Sequence, residues 1–166
     1  MVLTLVLAIT IIAHLFIVVP YIPTPYPVVD AMIAAAELRP GDIVYDLGAG
    51  DARLLIAALD ACPGARAKGS ECIPTIWLLG KFRLWRAGKQ AELRCKNLHR
   101  QDLRDADVIF LYMLPSVMQP LARKLDRELR PGTRVVSHAF RFPDRTPERE
   151  WKVPGKRQKT VLLYRW

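Results

Sequence analysis

Asp46-Leu47-Gly48-Ala49-Gly50-Asp51 joins a carboxylate to a two-glycine turn, with Ala52-Arg53 following. Ile43, Val44 and Leu47 read as a strand covered on both faces. Gly48 and Gly50 permit a tight turn and let backbone approach a ligand closely. Asp46 falls at the strand's carboxyl end, where it faces a ligand in the crevice of an open α/β sheet. Glu71 closes a second strand about 20 residues past the first glycine, the place from which a carboxylate accepts hydrogen bonds from ribose hydroxyls. Gln101-Asp102 follows a third strand and is placed to reach an adenine edge. On its own the glycine turn is equally an ordinary strand–turn–helix junction, so the rest of the chain decides.

The elements that must position these residues alternate. A helix is expected over Val28–Leu38, with Val28, Val29, Met32, Ile33 and Ala36 inward. Arg39-Pro40-Gly41-Asp42 stops it and leads into the first strand. Arg130-Pro131-Gly132-Thr133 repeats that device before Val135-Val136, which points to an alternating α/β architecture. A helix over Ala52–Ala61 and a strand over Ala65–Glu71 complete a right-handed βαβ unit. Pro74–Arg86 is the next helix, with Ile76, Leu79, Phe82 and Trp85 or Leu78 as its apolar face. Lys81, Arg83, Arg86 and Lys89 form its basic side, read first as a solvated face and otherwise as a contact for anionic lipid or RNA. No nucleic-acid motif accompanies it. Leu93–Leu98 suits an edge strand, and Val108–Met113 a central one. Tyr112–Pro115 therefore lies at the switch point beside the glycine turn. Met118, Leu121, Leu125 and Leu129 mark a helix in which Pro120 fits only the first turn. Val135–Phe142 is a fifth strand, with His138 read as hydrogen-bonded packing. Trp151–Val153 and Val161–Tyr164 read as a final antiparallel pair. The fold expected is an α/β, Rossmann-like doubly wound sheet, mostly parallel with a C-terminal antiparallel strand pair.

The 166 residues suit one domain, and the formal net charge of +9 favours acidic partners. Cys62, Cys72 and Cys95 have neither disulfide-framework nor metal-ligand spacing, so no metal is expected. Val2–Val19 carries no charged residue and is long enough to approach the ~30 Å hydrocarbon thickness. It reads as an N-terminal transmembrane helix, giving a single-pass membrane protein with its domain on the cytoplasmic side. The expected organisation is an anchor over 1–20, a proline-rich connector and leading helix over 21–42, and the main domain over 43–166. Four prolines within Pro20–Pro27 enforce an extended course there.

Asp46-Leu47-Gly48-Ala49-Gly50-Asp51 resembles motif I of the class I, seven-strand S-adenosylmethionine-dependent methyltransferases. Glu71 matches their acidic residue after the second strand, and Asp102 their adenine-side residue after the third. More narrowly, Pro20–Pro25, Val44–Arg53 and Gly69–Pro74 together resemble a protein-lysine methyltransferase family. It includes the ATP synthase c-subunit lysine methyltransferase and small prokaryotic relatives. The resemblance covers Pro20 to Pro147. It implies S-adenosylmethionine as cofactor, bound by Asp46, Gly48, Ala49, Gly50, Asp51, Glu71 and Asp102. It also implies a protein substrate with an accessible lysine. Ala52 stands where these proteins usually have a third glycine, and Arg145 where an aromatic is expected.

Tyr21, Thr24 and Tyr112 are the candidate catalytic residues, lining an acceptor channel with the backbone around Met113-Leu114. The Asn/Asp-Pro-Pro-aromatic signature of many adenine and glutamine N-methyltransferases is absent from this strand end, which argues against planar-nitrogen substrates. The alternatives are a methyltransferase for a small or lipid-soluble acceptor and a non-catalytic, membrane-tethered nucleotide-binding module. An NAD-binding domain is the fold-level competitor.

Overall fold

A computed structural model describes residues 21–154 and 159–166. The elements in chain order are α1 (Tyr26–Ala36), β1 (Ile43–Leu47), α2 (Arg53–Ala61), β2 (Arg66–Glu71), α3 (Pro74–Arg86) and β3 (Ala91–Cys95). A single 3-10 turn, Leu98–Arg100, leads to β4 (Val108–Leu111), α4 (Pro115–Glu128), β5 (Arg134–His138), β6 (Arg149–Val153) and β7 (Lys159–Arg165). The seven strands form one sheet in the order β3-β2-β1-β4-β5-β7-β6. β3, β2, β1, β4 and β5 are mutually parallel. β7 inserts antiparallel between β5 and β6, with Val136 opposite Leu163 and Trp151 opposite Val161. This is the mixed, Rossmann-like sheet expected from the sequence. The order reverses between β1 and β4, so a crevice opens above their carboxyl ends.

Two helical layers cover the sheet. On one face, Val28, Val29 and Met32 of α1 and Leu54 and Ala58 of α2 bury Val44, Phe110, Val136, Val161 and Leu163. Leu55 of α2 and Leu84 of α3 extend that layer over Ala67 and Leu93. On the other face α4 packs, the one α-helix there among the described residues, placing Met118, Leu121 and Leu125 on Leu47, Ile109, Leu111, Val135 and Leu162. The β3–β4 connection contains no α-helix, so β2 and β3 carry polar residues on that side: Lys68, Glu92 and Arg94 border an open groove with Tyr45 and Asp105.

The two helix-to-strand turns are built alike. Gly41 and Gly132 have φ of +93° and +91°, a region closed to most side chains. Asp42 N–H donates to the Arg39 carbonyl, and Thr133 N–H to the Arg130 carbonyl. Arg134 ties the turns together, donating to the Asp42 carboxylate at 2.7 Å and to the Ala36 carbonyl at 2.7 Å. An arginine buried this deeply is tolerated because its donors meet acceptors.

Four expectations are corrected. The single-pass membrane location is overturned: among the described residues no helix is long and apolar enough to cross a membrane. The longest, α4, has 14 residues, against the ~20 that a span needs. Val2–Val19, on which that expectation rested, lies outside the described residues. The proline-rich stretch does not stay extended to Pro27, because Pro27 occupies the first turn of α1, where its missing N–H costs no bond. Pro120 stands inside α4 rather than in its first turn, on the solvent side, where the carbonyl it leaves free can meet water. Finally, α3 is rotated from its expected orientation. Gly80 and Leu84 face the sheet, whereas Leu78, Leu79, Phe82 and Trp85 are exposed.

Candidate active site

The site assembles from three chain turns at the carboxyl ends of β1, β2 and β4, with an N-terminal strap laid across them. After β1 the chain reverses through Gly48 (φ +73°) and Gly50 (φ +54°), and the N–H groups of Gly48 and Ala49 both donate to the Ser70 carbonyl at 2.9 Å. Ala52 adopts φ +64° at the head of α2 and is wholly buried. A third glycine would hold that left-handed backbone without strain; alanine accepts it and packs its methyl group into the α2–α3 layer.

Glu71 organises the floor. Its Oε2 accepts from Gly50 N–H at 2.9 Å and its Oε1 from Ile73 N–H at 2.8 Å, bridging the glycine turn to the start of α3. Each carboxylate oxygen has a further lone pair to offer a ligand. Asp46 lies beside it, 3% exposed. Burial, with the charges of Glu71 and Asp51 added, pushes its carboxyl up to about 8. Ser70 Oγ is buried and has no hydrogen-bond partner among the described residues.

Asp51 is engaged within the protein. Arg53 meets it with two donors at 2.8 and 2.7 Å, and Arg83 reaches it from α3. These two guanidinium groups hold its carboxyl below the usual range against the opposing effect of burial. The same arginines secure the strap. Arg53 donates to the Thr24 carbonyl at 2.7 Å, and Arg83 to the Tyr26 hydroxyl at 2.8 Å. The strap thereby lies against the glycine turn, with the Tyr21 ring so near Gly50 that a Cβ there would sit 2.8 Å from it.

These contacts enclose one pocket. Its lining includes Tyr21, Ile22, Thr24, Asp46, Gly48, Ala49, Gly50, Asp51, Glu71, Ile73, Leu98, Tyr112 and Met113. A Cβ on Gly48 would meet the Met113 methyl at 2.3 Å, and the backbone at φ +73° would be strained by any side chain. Tyr112 is backed by His138, with ring centroids 4.0 Å apart. His138 does not form the hydrogen bond expected of it: Nδ1 has no partner among the described residues, and burial lowers its pKa to about 4. It is a neutral packing surface behind Tyr112.

Nine of the ten residues expected at the site therefore meet here: Tyr21, Thr24, Asp46, Gly48, Ala49, Gly50, Asp51, Glu71 and Tyr112. Asp102 does not. It is turned outward by the 3-10 turn after β3, accepts from Arg104 N–H at 3.1 Å, and faces the polar groove over β2 and β3. Leu98 borders the pocket instead. Arg53 and Arg83 were not anticipated as fasteners. Arg53 stood within the glycine stretch, but nothing local marked Arg83, whose partners lie 32 and 57 residues away. Arg145, where an aromatic was expected, stacks over Trp166 at 3.9 Å and pairs with Asp126, away from the pocket.

A glycine cradle whose backbone disfavours side chains, buried carboxylates beside it and an unpartnered hydroxyl suit a cationic ligand rich in hydrogen-bonding groups. Seven strands in this order with the pocket at the β1/β4 switch point define a Rossmann-like methyltransferase. The sequence matches the family model of the ANTKMT methyltransferase domain over residues 46–149, and the chain belongs to that family. It is 37% identical over 149 residues to a protein-lysine N-methyltransferase of Saccharolobus islandicus, covering 88% of this chain and 92% of that protein. It is 40% identical to the mouse adenine nucleotide translocase lysine N-methyltransferase and 31% identical to the human ATP synthase c-subunit lysine N-methyltransferase. Those matches cover 78% and 87% of this chain but only 56% and 60% of the mouse and human proteins. Among solved structures, an RNA methyltransferase of Salinibacter ruber in complex with S-adenosyl-L-homocysteine superposes with TM-score 0.82 at 38% identity, covering 87% of this chain and 93% of that one.

Proposed function

We propose that this chain transfers the methyl group of S-adenosylmethionine to lysine side chains of a protein substrate. The observation that carries the reading is the pocket beneath the strap, where Glu71 and the glycine turn form one floor. When bound, the cofactor supplies a methyl group already activated by its sulfonium. The chain's task is then to bind, align and exclude water. Glu71 accepts the ribose hydroxyls, with Leu98 and Ile73 as apolar surfaces for the base. Gly48 and Gly50 leave space for the methionine portion, and Asp46 faces its cationic end.

Asp51 acts one step back, through Arg53 and Arg83, holding the strap closed. Tyr21, Thr24 and Tyr112 line the acceptor side. An amine attacks only when neutral, and a lysine's free pKa is ~10.4. Half-buried aromatic walls around its stem favour the neutral form, and the hydroxyls offer acceptors for the departing proton.

Incubation of the full chain with methyl-labelled S-adenosylmethionine and a protein extract tests this. The expected result is label recovered as methyl-lysine after acid hydrolysis, lost in Glu71→Ala. Label confined to RNA, to lipid or to a small acceptor would contradict it.

A further inference from the structure

The outward face of α3 is apolar where a solvated face was expected. Leu78, Phe82 and Trp85 follow one another at helical spacing and are 49%, 53% and 76% exposed, with Leu79 beside them at 41%. This arrangement is unlike the scattered single apolar residues of an ordinary surface. Phe82 and Trp85 pack on each other, ring centroids 5.8 Å apart and tilted by 37°. The helix contains no acidic residue. Lys81 and Arg86 flank the stripe, both exposed, and neither joins a salt bridge among the described residues. The stripe also leads to the pocket. Cys72 and Ile73, immediately before α3, line it, and Arg83 binds Asp51 and the hydroxyl of exposed Tyr26.

We propose that this face docks the polypeptide carrying the acceptor lysine, through a segment with apolar side chains on one side and carboxylates along its flank. The proposal rests on the lysine reading above and adds where the substrate is held. An apolar centre bordered by unpaired cations and free of acids complements such a segment. Arg83 ties the helix to Asp51 and to Tyr26 at the end of the strap, so a docked chain lies beside the segment whose Tyr21 and Thr24 line the acceptor side. Aliphatic Leu78 and Leu79, and rings that lean on each other, suit side-chain packing better than the stacking of successive bases.

The test uses the full chain and two synthetic helical peptides of about 20 residues. Both have leucines at i, i+4 spacing and a terminal lysine; one bears glutamates along its flank and the other glutamines. Binding is measured calorimetrically in the presence of S-adenosylhomocysteine, and methyl transfer is followed separately. The acidic peptide is expected to bind about tenfold more tightly than the neutral one. Phe82→Ser/Trp85→Ser should weaken it about tenfold and raise its KM with kcat unchanged. Lys81→Glu/Arg86→Glu should abolish the preference for glutamate.

Affinity for S-adenosylhomocysteine should stay at the wild-type value in both variants, which separates docking from damage to the pocket. Equal peptide affinity in wild type and variants overturns the proposal. So does competition by a single-stranded RNA oligomer, sedimentation with phosphatidylserine vesicles lost in the double variant without change in peptide affinity, or a dimer dissolved by it. Peptide binding without methyl transfer would instead refute the lysine reading and leave the docking face standing.

Discussion

α4 and α3 both pack on the sheet through one side, yet they treat apolar residues in opposite ways. In α4 the stripe Met118, Leu121, Leu125 is fully buried, and the opposite side is polar. In α3 the contact with the sheet is made by Gly80 and Leu84, with Trp77 donating to the Leu93 carbonyl at 3.0 Å. Leu78, Leu79, Phe82 and Trp85 point away. α4 is an amphipathic helix whose sequence states its own orientation. α3 carries apolar residues nearly all round, and its orientation is set by a glycine. A Cβ on Gly80 would lie 2.8 Å from Leu93 Cδ2 and 2.9 Å from the Gly50 carbonyl oxygen. Close approach of helix to glycine turn is what α3 contributes, and that approach shapes the pocket.

Substitutions on the two helices should therefore diverge. Leu121→Ala empties a wholly buried position and should cost about 2–5 kcal/mol in denaturant unfolding. Phe82→Ala, a larger truncation, should stay within about 0.5 kcal/mol because the ring is half in water already. Comparable losses would break the contrast. Gly80→Ala sharpens it. Alanine favours helix, yet this one should destabilise by about 1–3 kcal/mol, since backbone at Gly50 cannot yield as a side-chain end can. Its affinity for S-adenosylhomocysteine should fall as well, whereas Leu121→Ala should lose stability alone.

A further effect concerns pH. The Asp46 carboxyl is raised to about 8 in the folded chain, so its contribution to stability is complete below the ordinary carboxylate range. That contribution is lost as pH rises through 8. Thermal melting of the ligand-free protein should fall between about pH 4 and 8 by an increment that Asp46→Asn removes.

The sheet, the glycine turn and most of the pocket were legible because they rest on local chemistry. Buried strands, turn glycines and a carboxylate at a strand end announce themselves within a few residues. Both Arg-Pro-Gly turns were readable for the same reason. What escaped notice depended on distance or on the third dimension. The fastening of Asp51 was not legible because its partner Arg83 comes from another helix. Asp102 was assigned by its spacing after β3, but one 3-10 turn rotates it to the outside. The α3 wheel offered two apolar sides, and only the sheet could choose between them. Pro120 is tolerated inside α4 because it lies on the solvent side, a placement that local sequence does not reveal.

Isothermal titration of S-adenosylmethionine into the full chain, beside Glu71→Ala and with NAD as the competing ligand, tests the central claim most directly. Saturable binding at one site is predicted for the wild type, weakened at least about tenfold by Glu71→Ala, with no binding of NAD. Failure of S-adenosylmethionine to bind, equal affinity in the variant, or saturable binding of NAD would contradict the account.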